Sequence, residues 1–223
     1  MYIFEALGQT DLGFSTFDTV KWVDKELAKD PAKTIKDHRF LIQALNQMDN
    51  IHVLDFGGSL GFGYRALIMA CPEKNIKYSV VETPLVCDAA RQCYDSPNIA
   101  FEDNLTSTNN VDIVYIRTSL QYAAEWKETL NALVSLEPSI FVFAHISAGP
   151  IRTFQAIQNY YGRKVPYWWI SLTELKQVMK EYGYACTLEE DDQLIDDSAF
   201  CSSIDDQDRL TTTKNLVFRR AIA

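Results

Sequence analysis

Basic charge, paired cysteines, histidine and long apolar runs are all in short supply in this chain. Lysine and arginine total 21 against 30 aspartate and glutamate, giving a net charge of −9 and a pI near 4.8. An acidic surface repels phosphate backbones, so nucleic acid is not the expected partner. The five cysteines, Cys71, Cys87, Cys93, Cys186 and Cys201, are odd in number and form no CxxC pair. That excludes a zinc-finger-like site and a disulfide framework, and suits reduced thiols in a cytoplasmic protein. No apolar run reaches the ~18 residues of a membrane span. The opening MYIFEALGQ lacks a basic n-region, so no signal peptide is expected. The acidic stretch from Glu189 to Asp197, with Asp205, Asp206 and Asp208, has no calcium-loop spacing, so it is expected to be a solvated loop without metal.

What is present is an ordinary globular composition, 47% hydrophobic and 23% charged over 223 residues. One core domain at 51–223 behind an N-terminal helical cap at 1–50 is expected. The chain is organised around IHVLDFGGSLGFG, Ile51 to Gly63. Ile51, Val53, Leu54 and Phe56 form a strand pattern covered on both faces, with Asp55 at its carboxyl end. Gly57, Gly58, Gly61 and Gly63 then place four of the nine glycines within seven residues. Glycine admits positive φ and close approach of a ligand to the backbone. Strand, glycine turn and helix make a nucleotide-binding crevice.

Upstream, helices are expected over 16–29, with Phe17, Val20, Trp22, Val23 and Leu27 as its apolar face, and over 34–48. Downstream, strands at 77–82, 98–101, 111–116 and 139–146 alternate with helices at 61–71, 84–94 and 120–133. That alternation predicts a parallel sheet with helices on both faces. Residues 150–170 read as an amphipathic, aromatic segment. A helix over 172–182 and strands at 184–188 and 215–219 follow. With no helix between them, those last strands predict an antiparallel hairpin at the sheet edge.

Asp55-Phe-Gly-Gly-Ser-Leu-Gly61 resembles the first motif of class I S-adenosylmethionine-dependent methyltransferases. VLDFGGSLG, the later VVETP and GYACTLEE look like a bacterial methyltransferase family associated with surface-polysaccharide or other specialised biosynthesis. The resemblance covers most of residues 40–220, with Ser59 replacing a glycine common at the loop centre. It implies a Rossmann-like, seven-stranded, mostly parallel α/β sheet with an antiparallel C-terminal hairpin, and S-adenosyl-L-methionine as cofactor. Asp55, Gly57, Gly58, Ser59 and Gly61 would hold the methionine part of that cofactor. Glu82 would accept hydrogen bonds from the ribose, with Thr83 lining the same crevice. Asp103 and Asn104, or the adjacent Glu102, would meet the adenine.

Arg117-Thr-Ser-Leu-Gln-Tyr122 follows the fourth strand and should lie near the methyl donor, with Ser119 among its contacts. Gln121 stands where many small-molecule O-methyltransferases carry a histidine base, and Tyr122 is either catalytic or packs on the cofactor. Among the histidines, His38 suits a surface or cap role and His52 starts a strand at the wrong end of the sheet. His145 ends the fifth strand at the correct end, where an imidazole can take a proton from an acceptor hydroxyl or serve as a core group. Arg152, Tyr161, Tyr167 and Trp168 are expected to cover the acceptor. The competing reading is an aromatic packing layer or a homodimer interface.

The expected activity is therefore methyl transfer to a small-molecule or saccharide acceptor, at oxygen. GFGYRA, Gly61 to Ala66, matches G-x-G-x-x-A and keeps a dinucleotide-dependent oxidoreductase as an alternative. A non-catalytic cofactor-binding subunit is the third.

Overall fold

The computed structural model of the protein describes residues 17–29, 35–45, 48–105, 110–160, 163–194 and 204–221. Its central strand, β1 (Asn50–Phe56), is buried from Ile51 onward. β2 (Asn75–Val81) and β4 (Ile113–Arg117) flank it in parallel, β3 (Ile99–Glu102) pairs with β2, and β5 (Ile140–Ile146) pairs with β4. β10 (Thr212–Arg220) runs antiparallel between β5 and β9 (Tyr184–Leu194). The full order is β3-β2-β1-β4-β5-β10-β9. This is the expected Rossmann-like sheet, with the antiparallel C-terminal pair placed so that β9 forms the edge.

Because strand side chains alternate between faces, β1 feeds two separate cores. Leu54 and Phe56 join Trp126, Leu130 and Leu133 of α5 (Trp126–Val134) and Leu175 and Met179 of α6 (Leu172–Glu181). Ile51 and Val53 join Leu41 of α2 (Arg39–Ala44), Leu67 of α3 (Phe62–Ala70) and Val86 of α4 (Pro84–Arg91). Both faces of the sheet are thus covered. β1 has β2 on one side and β4 on the other, so the chain reverses its winding there. Such a switch point leaves a crevice at the carboxyl ends of the strands.

Several expectations need correction. In the aromatic segment, β7 (Phe154–Tyr160) and β8 (Arg163–Ser171) pair antiparallel, and β6 (Ala148–Gly149) extends them into a second sheet. On β8, Val165, Tyr167 and Trp169 are buried at alternate positions, but Pro166 and Ile170 are buried as well, so the alternation is interrupted. The helix expected over 120–133 starts as a 3₁₀ turn, Leu120–Tyr122, and breaks before α5. At the break, Trp168 Nε1 donates to the carbonyls of Ala123 (2.8 Å) and Ala124 (3.3 Å), which have no place in a helical ladder. The second upstream helix is likewise divided, into a 3₁₀ turn (Ile35–His38) and α2, at the buried His38. Finally, Glu189 to Asp192 belong to β9 rather than to a loop, and Lys176 and Lys214 pair with Glu189.

α1 (Val20–Leu27) begins at Thr19, whose hydroxyl accepts from Trp22 N. Val20 and Leu27, expected on its inner face, are exposed. The chain before it crosses the ends of β2 and α4. Phe17 O accepts from Thr83 Oγ1 (3.3 Å), and Asp18 Oδ1 accepts from Leu85 N (2.9 Å) at the start of α4.

Candidate functional site

At the switch point lies a cavity of about 460 Å³, within the usual range for a small-molecule site. Asp55, Gly57, Gly58, Ser59 and Glu82 form its floor, and Tyr115 and Arg117 to Ser119 lie beside them. α1 roofs it with Trp22, Lys25, Glu26 and Lys29, and the β7–β8 hairpin contributes Gln158, Tyr160 and Tyr167. Three non-glycine residues on its lining have positive φ: Ser59 (53°), Thr118 (56°) and His145 (56°). Each sits at or just beyond the end of a parallel strand. Such conformations are costly and concentrate at functional sites.

The glycine loop is shaped first by the protein's own packing. Gly57 has φ +72°, and a Cβ there would overlap the Ser119 side chain. A Cβ on Gly58 would overlap the Asp55 carboxyl, and one on Gly63 the Tyr78 hydroxyl. Gly61 is the N-cap of α3 and faces Ile99, Tyr94 and Phe101 rather than the cavity. The G-x-G-x-x-A match at 61–66 therefore lies within and around the first turn of a packed helix.

Two buried carboxyls stand on the floor. Asp55 Oδ2 accepts from Tyr78 Oη (2.7 Å), while Oδ1 is buried and has no hydrogen-bond partner. Burial pushes its pKa up to about 7, against the opposing Tyr78 bond and Arg117 charge. Glu82 accepts from Thr83 N (2.7 Å) and Ser59 N (3.2 Å). Burial again raises its pKa to about 7, and those two backbone bonds oppose the rise. Each carboxylate oxygen that already accepts one bond has a further lone pair for a ligand donor. Ser59 Oγ ties the floor to the roof by donating to Glu26 Oε2 (2.7 Å), which also accepts from Lys29 Nζ (2.7 Å).

His145 reaches the cavity through a β-bulge. Lys214 pairs with Ile146 and Leu216 with Phe143, so Ala144 and His145 together oppose Asn215. Asn215 Oδ1 fills the gap by accepting from His145 N (2.9 Å). The imidazole Nδ1 lies 2.9 Å from Thr213 Oγ1 and 3.4 Å from Asp192 Oδ2. Burial and then the Arg117 cation lower its pKa, with Asp192 opposing, so the ring is neutral near pH 7. The Nδ1–H tautomer donates to this pair and leaves Nε2 to accept a proton. His38, expected at the surface, is buried and lines the same cavity, its Nδ1 3.0 Å from Tyr115 Oη. Burial and the Arg117 charge lower its pKa to about 3.

Of the residues singled out from sequence, Asp55, Gly57, Gly58, Ser59, Glu82, Ser119, Gln121, Tyr122, His145 and Tyr167 meet at this cavity. Gln121 is buried, with Nε2 reaching His145 O (3.3 Å) and Oε1 without a partner. Tyr122 Oη donates to Gln158 Oε1 (2.9 Å), and burial raises its pKa well above the ordinary value, so it is no base. Gly61, Thr83, Asp103, Asn104, Arg152 and Trp168 do not line the cavity. The Thr83 hydroxyl is taken by Phe17 O, and Asn104 Nδ2 donates to Asp103 Oδ1 (2.8 Å). Arg152 is ion-paired to the buried Asp208 (2.8 Å) and stacked over Phe154, so it belongs to the second sheet's packing. Tyr161 lies outside the described residues.

Sequence reasoning missed the roof and Asp192. Trp22, Lys25, Glu26 and Lys29 recur at i, i+3, i+4 and i+7, one helix face, and that stripe was the available signal. Asp192 gave none, because its role depends on β9 register. Among the described residues, no three His, Cys, Asp or Glu side chains gather as metal ligands, and no helix is long and apolar enough to cross a membrane.

No family model and no curated protein matches the chain. Solved structures do. Mitomycin 7-O-methyltransferase MmcR is 13% identical with a TM-score of 0.59, covering 95% of this chain and 61% of its own. Magnesium protoporphyrin IX methyltransferase from Synechocystis, solved with bound S-adenosylmethionine, is 12% identical with a TM-score of 0.54, covering 91% and 86%. The [4+2]-cyclase SpnF is 11% identical with a TM-score of 0.53, covering 83% and 81%. At these identities the likeness establishes a shared fold, one found in methyltransferases and also in a cyclase.

Proposed function

We propose that the chain binds S-adenosylmethionine and methylates a hydroxyl of a small-molecule acceptor, with His145 as general base. Three buried polar atoms without hydrogen-bond partners among the described residues carry this reading: Asp55 Oδ1, Gln121 Oε1 and Arg117 Nε. Native proteins rarely leave such atoms unpaired, and all three residues line one cavity. The cofactor supplies an electrophilic methyl on a sulfonium. Asp55 Oδ1 suits the ammonium of its methionine part, and the Glu82 carboxylate suits the ribose diol. Both carboxyls are poised near neutrality, so a cationic or hydrogen-bond-donating ligand ionises them on binding. The acceptor lies toward Arg117, Gln121 and His145. His145 Nε2 would take the acceptor's hydroxyl proton while the methyl exchanges its sulfonium sulfur, left as a neutral thioether, for the acceptor oxygen, and Asp192 and Thr213 hold the imidazole in the tautomer this requires. In-line displacement depends mainly on alignment, which the strained strand ends and the hairpin provide.

Calorimetric titration with S-adenosylhomocysteine, with NAD as the control, tests the cofactor. Binding of the first and no heat with the second is expected; the reverse would overturn the proposal. The base is tested by NMR titration of the three histidines, assigned by single substitution. His145 should titrate below the ordinary histidine value of 6.5. An imidazolium at His145 above neutral pH would remove it from the mechanism.

A further inference from the structure

The acceptor end of the cavity holds a cation with almost nothing bound to it. Arg117 ends β4 and is half-buried. Among the described residues its one ion pair is a 3.5 Å approach of Nη2 to Asp37 Oδ2. None of its five N–H donors makes a hydrogen bond of ordinary geometry among the described residues, and Nε is fully buried. An unfilled guanidinium fork is built to take a planar anion. The imidazoles of His38 and His145 share this end of the lining and, being neutral, bring no counter-charge.

The adjoining wall is aromatic. The Tyr122 ring lies 4.9 Å from Phe17, 5.1 Å from Tyr167 and 6.4 Å from Tyr160, centre to centre. Its hydroxyl is already committed to Gln158, and that of Tyr167 is within bonding distance of Ser147. Such a wall offers ring surface and few polar groups, which suits a flat apolar body better than a saccharide. Asp37 stands at the guanidinium and Asp192 behind His145, so a monoanion fits here and a phosphate dianion is repelled.

We propose that the acceptor is an aromatic hydroxy acid whose carboxylate is held by Arg117 and whose ring rests against Tyr122. This deepens the methyl-transfer reading and rests on it. The carboxylate anchor leaves the ring hydroxyl to His145, and specificity follows from the fork rather than from the base.

The test uses the full chain saturated with S-adenosylhomocysteine and titrated with 2-, 3- and 4-hydroxybenzoate and the matching hydroxybenzamides. At least one acid should bind about tenfold or more tightly than its amide, the usual worth of a charge-assisted bond. Arg117→Gln should level that pair while leaving S-adenosylhomocysteine affinity within about twofold to threefold, and Arg117→Lys should retain part of the preference. Amides binding as tightly as acids would overturn the inference, as would no acid binding to the loaded complex. Loss of S-adenosylhomocysteine binding in Arg117→Gln, with the wild type still binding it, would assign Arg117 to the donor and overturn it too. Failure of the wild type to bind S-adenosylhomocysteine would remove the underlying reading as well, and the first titration alone reveals it.

Discussion

Replacing Asp55 with asparagine should change how stability depends on pH, by an amount the structure sets. In the folded, ligand-free chain the Asp55 pKa is about 7, against an ordinary value of 3.8. Across the window between these values the folded state holds a proton that the unfolded state has released. Stability therefore falls as pH rises through it. From about pH 5 to about pH 8 the fall contributed by Asp55 is about 2 to 3 kcal/mol, at 1.36 kcal/mol per pKa unit. Glu82 contributes a similar slope, and Glu174, Glu189 and Asp191, whose pKa values are lowered, act in the opposite sense. The contributions of Glu174, Glu189 and Asp191 cancel in the difference, and that of Glu82 cancels in the main, because the Asp55 charge is the smallest of the causes that raise its pKa. Asparagine keeps an acceptor for Tyr78 and carries no proton equilibrium. Urea unfolding of both proteins at four pH values, fitted with a common m, measures the difference. Asp55→Asn should gain on the wild type steadily from about pH 5 to about pH 8. A difference that stays flat would show that Asp55 is not a buried acid with a raised pKa, and the donor-site electrostatics would fail with it.

Two further outcomes follow from packing. Gly63→Ala sets a Cβ against the Tyr78 hydroxyl and should cost about 1 to 3 kcal/mol. Tyr78→Phe removes the obstructing oxygen, so a double-mutant cycle should show a favourable coupling of about 1 kcal/mol, and strict additivity would refute the clash. Arg152→Ala should lower stability by about 1 kcal/mol, because its largely exposed guanidinium pairs with a buried Asp208. S-adenosylhomocysteine affinity should stay within about twofold, and a larger loss would return Arg152 to the site.

The sheet was legible because β1 to β5 carry short, mostly apolar patterns between turn residues, and patterning survives whatever the side chains do in detail. Asp55 and Glu82 were legible for the same reason: strand ends fix where their carboxyls point. The glycines were legible for a different reason than the pattern suggests. Gly57, Gly58 and Gly63 are demanded by Ser119, Asp55 and Tyr78, so a crowded glycine loop is first a packing solution. This makes Gly57→Val a probe of folding before it is one of binding. The contact of the Phe17–Asp18 segment with Thr83 and Leu85 was not legible, because it joins residues 66 apart and no local pattern encodes it. The β7–β8 pairing escaped notice because its alternation is interrupted by Pro166 and by paired tryptophans. The partnership of His145 with Asp192 depends on the register of β9 against β10.

The bulge in β5 has a consequence for how this site can change over evolutionary time. Phe141, Phe143 and Ile146 share one core and Val142 and Ala144 the other, so the inside–outside rhythm slips by one position at His145. The slip frees residue 145 from both cores. Its side chain lines the cavity and meets Thr213 and Asp192 of the C-terminal strands, while its neighbours keep the sheet intact. Position 145 is thereby insulated from both cores: if the imidazole is the base we propose, exchanging it for another group changes the chemistry without repacking the interior. A strand that kept strict alternation would tie the two together, and every change of base would be a change of core.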